Sequence, residues 1–354
     1  MLGQRTGIGR YVRSLLTALA DGPDDVSVTA FTLRGAAGLA QVVPPAAGVR
    51  NRPVPARLLR LLWSRSEWPT VRHLAGRSDV FHGTNFVLPP TGRSGGVVTV
   101  HDLAYLRYPA TVDRASAGYR ELVPKSIARA GQVLVPTRAV AAELQEAYRL
   151  SEDLVTVTPL GVDEAWFSTA PMTTAERSRA GLPADYLIAV GTIEPRKGLP
   201  RLLTSYRELL SAEPDAPPLV VVGPQGWGQA LDRSGLPAGA VLLTGFLGDE
   251  ELQRTLAGAR ALVFPSLYEG FGLPPLEALA CGVPVVATDL PVTREVLGAQ
   301  ARLVGSADEL TAALADALRD ALPGTPATRR EHARAFTWAR CADATRTAYT
   351  RALS

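Results

Sequence analysis

The sequence predicts an α/β protein of two doubly wound domains, each with a parallel sheet covered by helices. Two observations predict this class. The chain has 354 residues, which favours two domains at about 150 residues each. Short apolar runs that end in glycine, serine, threonine or aspartate alternate with amphipathic segments, which is the pattern of βαβ units.

The second half of the chain shows this alternation clearly. Its predicted strands are short and rich in valine and leucine, as buried parallel strands are. They cover residues 186–191, 218–223, 240–245, 261–266 and 284–289. Amphipathic segments such as 198–212 and 249–259 lie between them and predict the covering helices.

The first half repeats the pattern more loosely. Its predicted strands cover residues 26–31, 79–82, 96–101, 132–137 and 154–159. A doubly wound domain ordinarily opens with a strand, whereas T-G-I-G-R-Y-V-R-S-L-L begins a helix almost at the first residue. We therefore expect the first domain to lack its first strand, either because the given sequence starts late or because the strand has been lost.

The domain boundary is predicted near residues 163–184, where A-W-F-S-T-A-P-M-T-T is typical of a linker. We expect a first domain over residues 1–165 and a second domain over 166–326. A final helical segment, 327–354, is predicted to pack back on the first domain.

Composition excludes several classes of protein. Hydrophobic residues make up 46% and charged residues 20% of the chain, and no apolar run is long enough for a membrane span. A net charge of only +3 argues against nucleic acid as a partner. Cys281 and Cys341 lack partners at metal-ligand spacing and the four histidines are scattered, so no metal site is expected. The N-terminus lacks the features of a secretory signal, which predicts a cytoplasmic location.

The first quarter of the chain is basic. Residues 1–80 hold eleven arginines against five acids. Within them, P-V-P-A-R-L-L-R-L-L-W-S-R-S-E-W-P-T-V-R, residues 53–72, mixes leucine and tryptophan with arginine. Such a stretch suits the anionic inner face of a membrane, and the alternative is a helix packed on its own domain.

Ligands of an open α/β sheet bind beyond the carboxyl ends of its strands. In G-T-I-E-P-R-K-G, which follows a predicted strand, Arg196 and Lys197 are two adjacent cations suited to a diphosphate. Lys197 is one of only two lysines in the chain. The alternative is an ordinary solvated loop. Further strand-end candidates for ligand contact are Gly191, Gly223 and Phe246.

The stretch Y-E-G-F-G-L-P-P-L-E-A brackets a glycine loop with two carboxylates, Glu269 and Glu277. Gly270 and Gly272 allow backbone amides to approach a ligand, and the prolines suit the first turn of a helix whose free N–H groups attract phosphate. Two acids around such a loop favour a polyhydroxyl ligand. The alternatives are a solvated turn for Glu269 and stabilisation of the helix N-terminus for Glu277.

Three further features lie in the first half. His101 ends a predicted strand beside Asp102 and suits contact with a ligand hydroxyl or a developing negative charge, whereas His82 is predicted to be structural. The helix that opens with Gly7-Ile8-Gly9 suits an anion, but it lacks the third glycine of a dinucleotide fingerprint and no strand precedes it.

These motifs together resemble a known family. Residues 189–304, with A-V-G-T-I-E-P-R-K-G, T-G-F-L-G-D-E-E-L, F-P-S-L-Y-E-G-F-G-L-P-P-L-E-A and C-G-V-P-V-V-A-T-D, resemble the donor domain of family 4 retaining glycosyltransferases of GT-B architecture, which has two Rossmann-like domains. The first half agrees through T-G-I-G-R-Y-V, V-T-V-H-D-L, V-P-T-R-A-V and V-T-P-L-G-V-D. Members transfer a sugar from a nucleotide diphosphate donor to an acceptor hydroxyl without a metal or another cofactor. The resemblance implies that the two domains face a central cleft, and that residues 1–165 bind the acceptor and residues 166–326 bind the donor.

The resemblance also implies roles for individual residues. Arg196 and Lys197 would bind the diphosphate, and Glu277 would accept hydrogen bonds from the ribose. Glu269, with the backbone amides of Phe271, Gly272 and Leu273, would hold the donor sugar. His101 would contact the donor sugar and diphosphate, and Gly9 would approach the phosphate.

The first-half motifs are most similar to mannosyltransferases, which favours GDP-mannose as the donor, with a UDP-hexose as the alternative. A lipid-linked or cell-envelope glycan is the expected acceptor. Two other functions stay open: a nucleotide-sugar 2-epimerase of the same architecture, and a non-catalytic partner that binds nucleotide sugars.

Overall fold

A computed structural model of the chain describes residues 7–31, 36–228 and 230–354. The described residues divide into two compact units. The first unit holds the described residues up to Pro109, Arg114–Gly161 and Thr337–Ser354, and the second holds Ala110–Asp113 and Val162–Phe336.

The first unit alternates helices and short strands. In chain order its elements are α1 (Gly7–Ala20), β1 (Ser27–Phe31), α2 (Ala36–Val42), β2 (Gly48–Arg52), α3 (Ala56–Trp63), α4 (Val71–Ala75), β3 (Val80–Gly83), β4 (Gly95–Thr99), α5 (Ala104–Arg107), α6 (Arg114–Ala117), α7 (Tyr119–Arg129), β5 (Gln132–Val135), α8 (Arg138–Tyr148) and β6 (Val155–Val157). Every pairing between these strands is parallel, in a two-stranded sheet β1-β2 and a four-stranded sheet β3-β4-β5-β6.

The five predicted strands of the first half correspond to β1, β3, β4, β5 and β6. β2 was not predicted, because G-V-R-N-R carries one apolar side chain among polar ones and lacks the apolar run that marks a buried strand. The predicted absence of a first strand concerns residues 1–6, which lie outside the described part of the chain.

The second unit contains one larger sheet. Its elements are α9 (Ala165–Ser168), α10 (Thr174–Arg179), β7 (Leu187–Val190), α11 (Leu199–Ala212), β8 (Leu219–Val222), β9 (Val241–Gly245), α12 (Asp249–Ala257), β10 (Ala261–Phe264), α13 (Leu273–Cys281), β11 (Val285–Thr288), α14 (Pro291–Leu297), β12 (Ala301–Val304), α15 (Ala307–Leu318) and α16 (Pro326–Arg334). The six strands are parallel in the order β12-β11-β10-β7-β8-β9. The predicted fold class, two doubly wound α/β units, is confirmed.

The core of the second unit explains why its strands were easy to predict. β8 and β10 consist of apolar side chains that are at most 2% exposed, because helices cover both faces of the sheet. α11 and α15 pack together on one of these faces through Leu202, Leu203, Leu310 and Leu314. β12 was not predicted, since Arg302 in its middle is exposed and interrupts the apolar pattern.

The C-terminal segment contains two helices where one was predicted over 327–354. α16 packs on α13 within the second unit, and α17 (Trp338–Leu353) packs on α1, β4 and β5 within the first. The helices separate at residues 335–337, where the Thr337 side chain caps α17 by accepting a hydrogen bond from the Arg340 amide.

Arg346 fixes α17 against α1. Its guanidinium forms an ion pair with Asp24 at 2.6 Å and donates to the Ala18 and Leu19 carbonyls at the carboxyl end of α1. A cation is favourable there, because the last carbonyls of a helix are unsatisfied and carry partial negative charge.

Within the described residues, none of the helices combines the length and apolar character that crossing a bilayer requires.

Gly161 offers a test of how the chain returns to the first unit. A Cβ at this position would lie 2.3 Å from the Trp338 backbone nitrogen and 2.6 Å from the Thr337 carbonyl carbon, and backbone atoms of a packed segment cannot yield cheaply. We expect Gly161→Ala to lower the free energy of unfolding by about 1 to 3 kcal/mol, measured by chemical denaturation.

Gly305→Ala is the matched control, because the nearest atom to its new Cβ is a side-chain oxygen of Glu309 at an ordinary 3.6 Å. Equal losses of stability in the two variants would contradict the packing argument.

Candidate functional site

The order of strands in the second unit places a candidate site at one position. The chain runs outward from β7 to β8 and β9, and then returns to β10 on the other side of β7. β7 and β10 are neighbours whose following loops turn away in opposite directions, and such a switch point is where open α/β sheets bind ligands. Arg196 and Lys197 follow β7, and Glu269 follows β10.

The structure brings these three predicted residues into direct contact. Glu269 accepts a hydrogen bond from Arg196 Nη1 at 3.1 Å through one carboxylate oxygen and from Lys197 Nζ at 2.7 Å through the other. Arg196 Nη1 also donates to the Tyr268 carbonyl at 3.0 Å. Only 16% of each cationic side chain and 9% of Glu269 is exposed, so this is a buried ionic cluster rather than a solvated loop.

Sequence reasoning missed a fourth member of the cluster. Glu194 accepts a hydrogen bond from Arg196 Nη2 at 2.9 Å and is 7% exposed. The signal was present in E-P-R-K, where an acid precedes the two cations, but an acid two residues from an arginine carries little information before the fold is known. The guanidinium is therefore held between two carboxylates.

The electrostatics of the two acids differ. Burial would raise the pKa of Glu269, but the ammonium of Lys197 and the guanidinium of Arg196 outweigh it and lower that pKa to about 2. Burial raises the pKa of Glu194 above its ordinary value, although the same two cations oppose the shift. Two positive and two negative groups sum to zero formal charge, so the cluster offers oriented donors rather than net positive charge.

The glycine loop and helix of the second predicted motif are also present. α13 begins after Gly272 with prolines in its first turn. Phe271 is buried, with its ring 6.0 Å from that of Phe336, and Leu273 is 7% exposed. The predicted amide donors thus belong to a loop that is anchored by buried side chains.

Glu277 lies one turn further into α13 than its N-terminus and is 2% exposed. The interpretation that it merely stabilises the first turn of the helix therefore loses support, because the effect of the helix dipole falls off within that turn. Its carboxylate is near the Cys281 thiol, whose pKa is raised to about 12 by burial and, to a lesser degree, by Glu277.

Three strand-end candidates have different surroundings. Gly191 and Gly223 follow β7 and β8, and a Cβ on Gly223 would lie 2.0 Å from the Gly191 carbonyl oxygen. Glycine is therefore required at 223 for the two strand ends to approach. Phe246, just after β9, is 45% exposed and leaves an aromatic face at the surface of the unit.

In the first unit, His101 lies two residues beyond the end of β4 and is 8% exposed. Its Nε2 is 2.9 Å from the Thr84 carbonyl oxygen, which can only accept, so Nε2 carries the proton. Burial lowers the pKa of His101, and the neutral ring then has an acceptor at Nδ1. This tautomer suits contact with a hydroxyl, whereas donation to a developing negative charge would need a second proton.

Gly9 lies in the first turn of α1, two residues before Tyr11. The Tyr11 ring packs edge-on against the His101 ring, with centroids 4.9 Å apart. The structure thus brings together the elements that carry Gly9 and His101. His82, which the sequence predicts to be structural, bonds to Tyr349 and Thr99 inside the same unit.

The basic segment 53–72 contains α3. Leu59 and Trp63 are buried against the first unit, whereas Leu58 and Leu61 are about half exposed, at 48% and 49%, and Trp68 is 62% exposed. Arg60 and Arg65 are exposed beside them. We call these five exposed side chains the α3 surface. The segment thus packs on its own domain with one face and presents a basic apolar surface with the other.

Among the described side chains, no group of three or more histidine, cysteine, aspartate or glutamate residues is arranged to hold a metal ion.

Comparisons with known proteins find relatives for both halves of the chain. The family described as Glycosyltransferase Family 4 matches residues 5–166, and the family described as Glycosyl transferases group 1 matches residues 184–322. The chain is 29% identical over 372 residues to O-antigen chain mannosyltransferase B of Escherichia coli, covering 97% of this chain and 96% of that protein. It is 32% identical over 392 residues to D-inositol 3-phosphate glycosyltransferase of Actinosynnema mirum, covering 98% and 92%.

Among solved structures, the chain is similar to HepE of Anabaena in complex with UDP. The TM-score is 0.69 at 18% identity, over 98% of this chain and 96% of that one. At this identity the likeness establishes the fold alone, which is the GT-B fold that the sequence predicts.

The buried bridge of Glu269 should contribute measurably to stability. We expect Glu269→Gln to lower the free energy of unfolding at pH 7 by about 3 kcal/mol, because it leaves two buried cations short of one negative charge. The pKa of Glu269 is lowered from 4.5 to about 2, so the carboxylate stabilises the fold fully above pH 4.5 and less as the pH falls towards 2. The variant and the wild type should therefore converge on acidification.

Glu213→Gln is the control, since its ion pair with Arg319 is exposed on both sides and should contribute little. Chemical unfolding at several pH values measures both effects, and a gap between Glu269→Gln and wild type that does not change with pH would contradict the assignment.

Proposed function

The chain belongs to the glycosyltransferases of family 4 and group 1, and from that premise we propose that it transfers a hexose from a nucleotide diphosphate sugar to an acceptor hydroxyl with retention of configuration. The observation that carries the proposal is the buried cluster of Arg196 and Lys197 with Glu269 at the switch point of the second sheet.

The chemistry assigned to the cluster is assistance to the leaving group. Breaking the bond between the sugar and the diphosphate places negative charge on the phosphate oxygens, and donors that are oriented in advance stabilise this charge more than they stabilise the ground state. Glu269 and Glu194 hold the Arg196 guanidinium in place before the donor arrives. The ammonium of Lys197 has three donors, one of which is directed at Glu269.

Retention follows in this proposal without an enzyme nucleophile. The acceptor oxygen bonds to the anomeric carbon on the face from which the diphosphate departs, and its proton passes to a phosphate oxygen. The diphosphate itself serves as the base, so neither a metal ion nor another cofactor is assigned to the reaction.

We propose GDP-mannose as the donor and a lipid-linked or cell-envelope glycan as the acceptor. The similarity to an O-antigen chain mannosyltransferase over nearly the full length of both chains supports both choices. A UDP-hexose is the alternative donor, because a protein of the same fold binds UDP. Glu277 is assigned to the ribose hydroxyls of either nucleotide and Glu269 to the donor sugar.

Calorimetric titration with a panel of nucleotide diphosphate sugars, followed by donor hydrolysis in the presence of EDTA, tests the proposal. Arg196→Ala and Lys197→Ala should each cost about 2 to 4 kcal/mol of transition-state stabilisation, the scale of losing one oriented donor, measured as kcat/KM for the preferred donor. Arg207→Ala, on α11 but bonded to the Asp232 and Ser234 carbonyls, should leave the rate unchanged.

Turnover in both cation variants at the wild-type rate would refute the site. Loss of activity with EDTA would refute the metal-independent chemistry, and failure of every donor to bind would refute the function.

We further propose that the α3 surface contacts an anionic membrane, where a lipid-linked acceptor would be met. Apolar side chains and arginines on one exposed face are complementary to acyl chains and anionic headgroups. The end of α3 is anchored from behind, because Arg129 Nη2 donates to the Trp63 carbonyl at 2.8 Å and Lys125 donates to the Ser64 carbonyl. The surface is thus presented by a fixed segment.

Sedimentation with vesicles tests this contact. The wild type should sediment with vesicles containing phosphatidylglycerol at low salt and be released by high salt, because exposed charges are screened. The triple variant Leu58→Ser, Leu61→Ser, Trp68→Ser should lose at least tenfold in binding. Leu353→Ser removes a leucine that is even more exposed, at 57%, from another part of the first unit and should bind as the wild type does. Wild-type protein that stays in the supernatant at low salt would contradict the proposed membrane contact.

A further inference from the structure

Four polar side chains inside the first unit form one continuous chain of hydrogen bonds. The Tyr349 hydroxyl is 2.9 Å from His82 Nδ1, His82 Nε2 is 2.7 Å from Thr99 Oγ1, and Thr99 Oγ1 is 2.9 Å from the Tyr11 hydroxyl. The four residues belong to four different elements, namely α17, β3, β4 and α1. We call them the Tyr349–Tyr11 chain.

Packing alone does not require these polar groups. Tyr11 and Thr99 are each 1% exposed, and apolar side chains of similar size would fill the same space without hydrogen bonds to satisfy. Burial lowers the pKa of His82 to about 3, so its ring is neutral and carries one N–H. The neutral ring donates through one nitrogen and accepts at the other, so it links Tyr349 and Thr99 in a defined orientation.

One end of the Tyr349–Tyr11 chain lies against His101. The Tyr11 ring meets the His101 ring at 4.9 Å with an interplanar angle of 82°, and Phe86 packs on His101 at 5.6 Å. Thr99 is two residues before His101, and Tyr11 is two residues after Gly9. The hydroxyls of Thr99 and Tyr11 therefore couple the strand that leads to His101 with the first turn of α1.

We propose that Tyr349 and His82 are positioning residues for the transfer reaction: through Thr99 and Tyr11 they set the orientation of the His101 ring and the start of α1. This inference rests on the proposed function in that His101 is assigned to the donor sugar. It adds a contribution from α17, the last helix of the chain, to the arrangement of the donor-contacting residues in the first unit.

The test compares variants that remove a hydroxyl without changing shape. Tyr349→Phe and Thr99→Val interrupt the chain, whereas Thr99→Ser keeps a hydroxyl at the same position. We expect the first two to lower kcat/KM about tenfold, as small misplacements of reacting groups do, and Thr99→Ser to restore at least half of the wild-type value. The matched control is Tyr206→Phe, which removes a buried tyrosine hydroxyl that donates to the Pro217 carbonyl in the second unit.

The control should lose thermal stability to a similar degree and keep kcat/KM within twofold of wild type. If Tyr206→Phe lowers the rate as much as Tyr349→Phe does, or if Thr99→Ser is as slow as Thr99→Val, the role is one of general stability and the proposal is overturned.

A second measurement does not depend on glycosyl transfer. The chain has four histidines, so the imidazole signals can be assigned by NMR. The His101 signals should shift or broaden in Tyr349→Phe and Thr99→Val and stay at their wild-type positions in Tyr206→Phe. Unchanged His101 signals in Thr99→Val would overturn the proposal even if the protein transfers sugar. Shifted signals in a protein that transfers no sugar would instead count against the proposed function alone.

Discussion

The second unit depends on one carboxylate that serves two cations. Arg196 and Lys197 are adjacent and mostly buried, and two such charges would repel each other and lose their hydration without a counterion. Glu269 accepts from both at once, one oxygen to each. Glu194 supplies the second negative charge through Arg196. Because Glu269 also belongs to the loop that leads into α13, its contact with the cations fixes the start of that helix. The ion cluster, the glycine loop and the helix are therefore held together by the contacts of Glu269.

The contact of Arg196 and Lys197 with Glu269 depends in turn on the order of the strands. β7 and β10 are neighbours although their first residues, Leu187 and Ala261, lie 74 positions apart in the chain. They run in parallel, so the loops that follow them emerge at the same edge of the sheet. A sheet whose strands followed chain order would place Arg196 and Glu269 several strands apart. The reversal of direction at β7 is thus what allows residues from two distant motifs to share a hydrogen bond.

Much of this arrangement was predictable from the sequence. Strands that are buried on both faces have uninterrupted apolar sequences, and the candidate site lies just beyond the carboxyl ends of these strands. Arg196, Lys197 and Glu269 were identified in this way. β2 and β12 were missed because each carries exposed polar residues. Glu194 was missed because its hydrogen bond to Arg196 becomes evident only when the orientation of the Arg196 side chain is known. No spacing in the sequence joins positions 11, 82, 99 and 349, so the Tyr349–Tyr11 chain follows from the topology alone. The tautomer of His101 likewise depends on a carbonyl that sequence does not place.

The return of α17 has a consequence for the order in which the molecule is built. Residues 338–353 pack on α1, β4 and β5, yet they leave the ribosome after every residue of the second unit. Domains usually fold as units during synthesis, the N-terminal one first. Here the four-stranded sheet can complete its packing only after α17 has been synthesised. The second unit, nearly continuous in the chain, can reach its native packing sooner. The part of the protein that is translated first is therefore the part that completes its packing last, and until then the faces of β4 and β5 that α17 covers lack that helix.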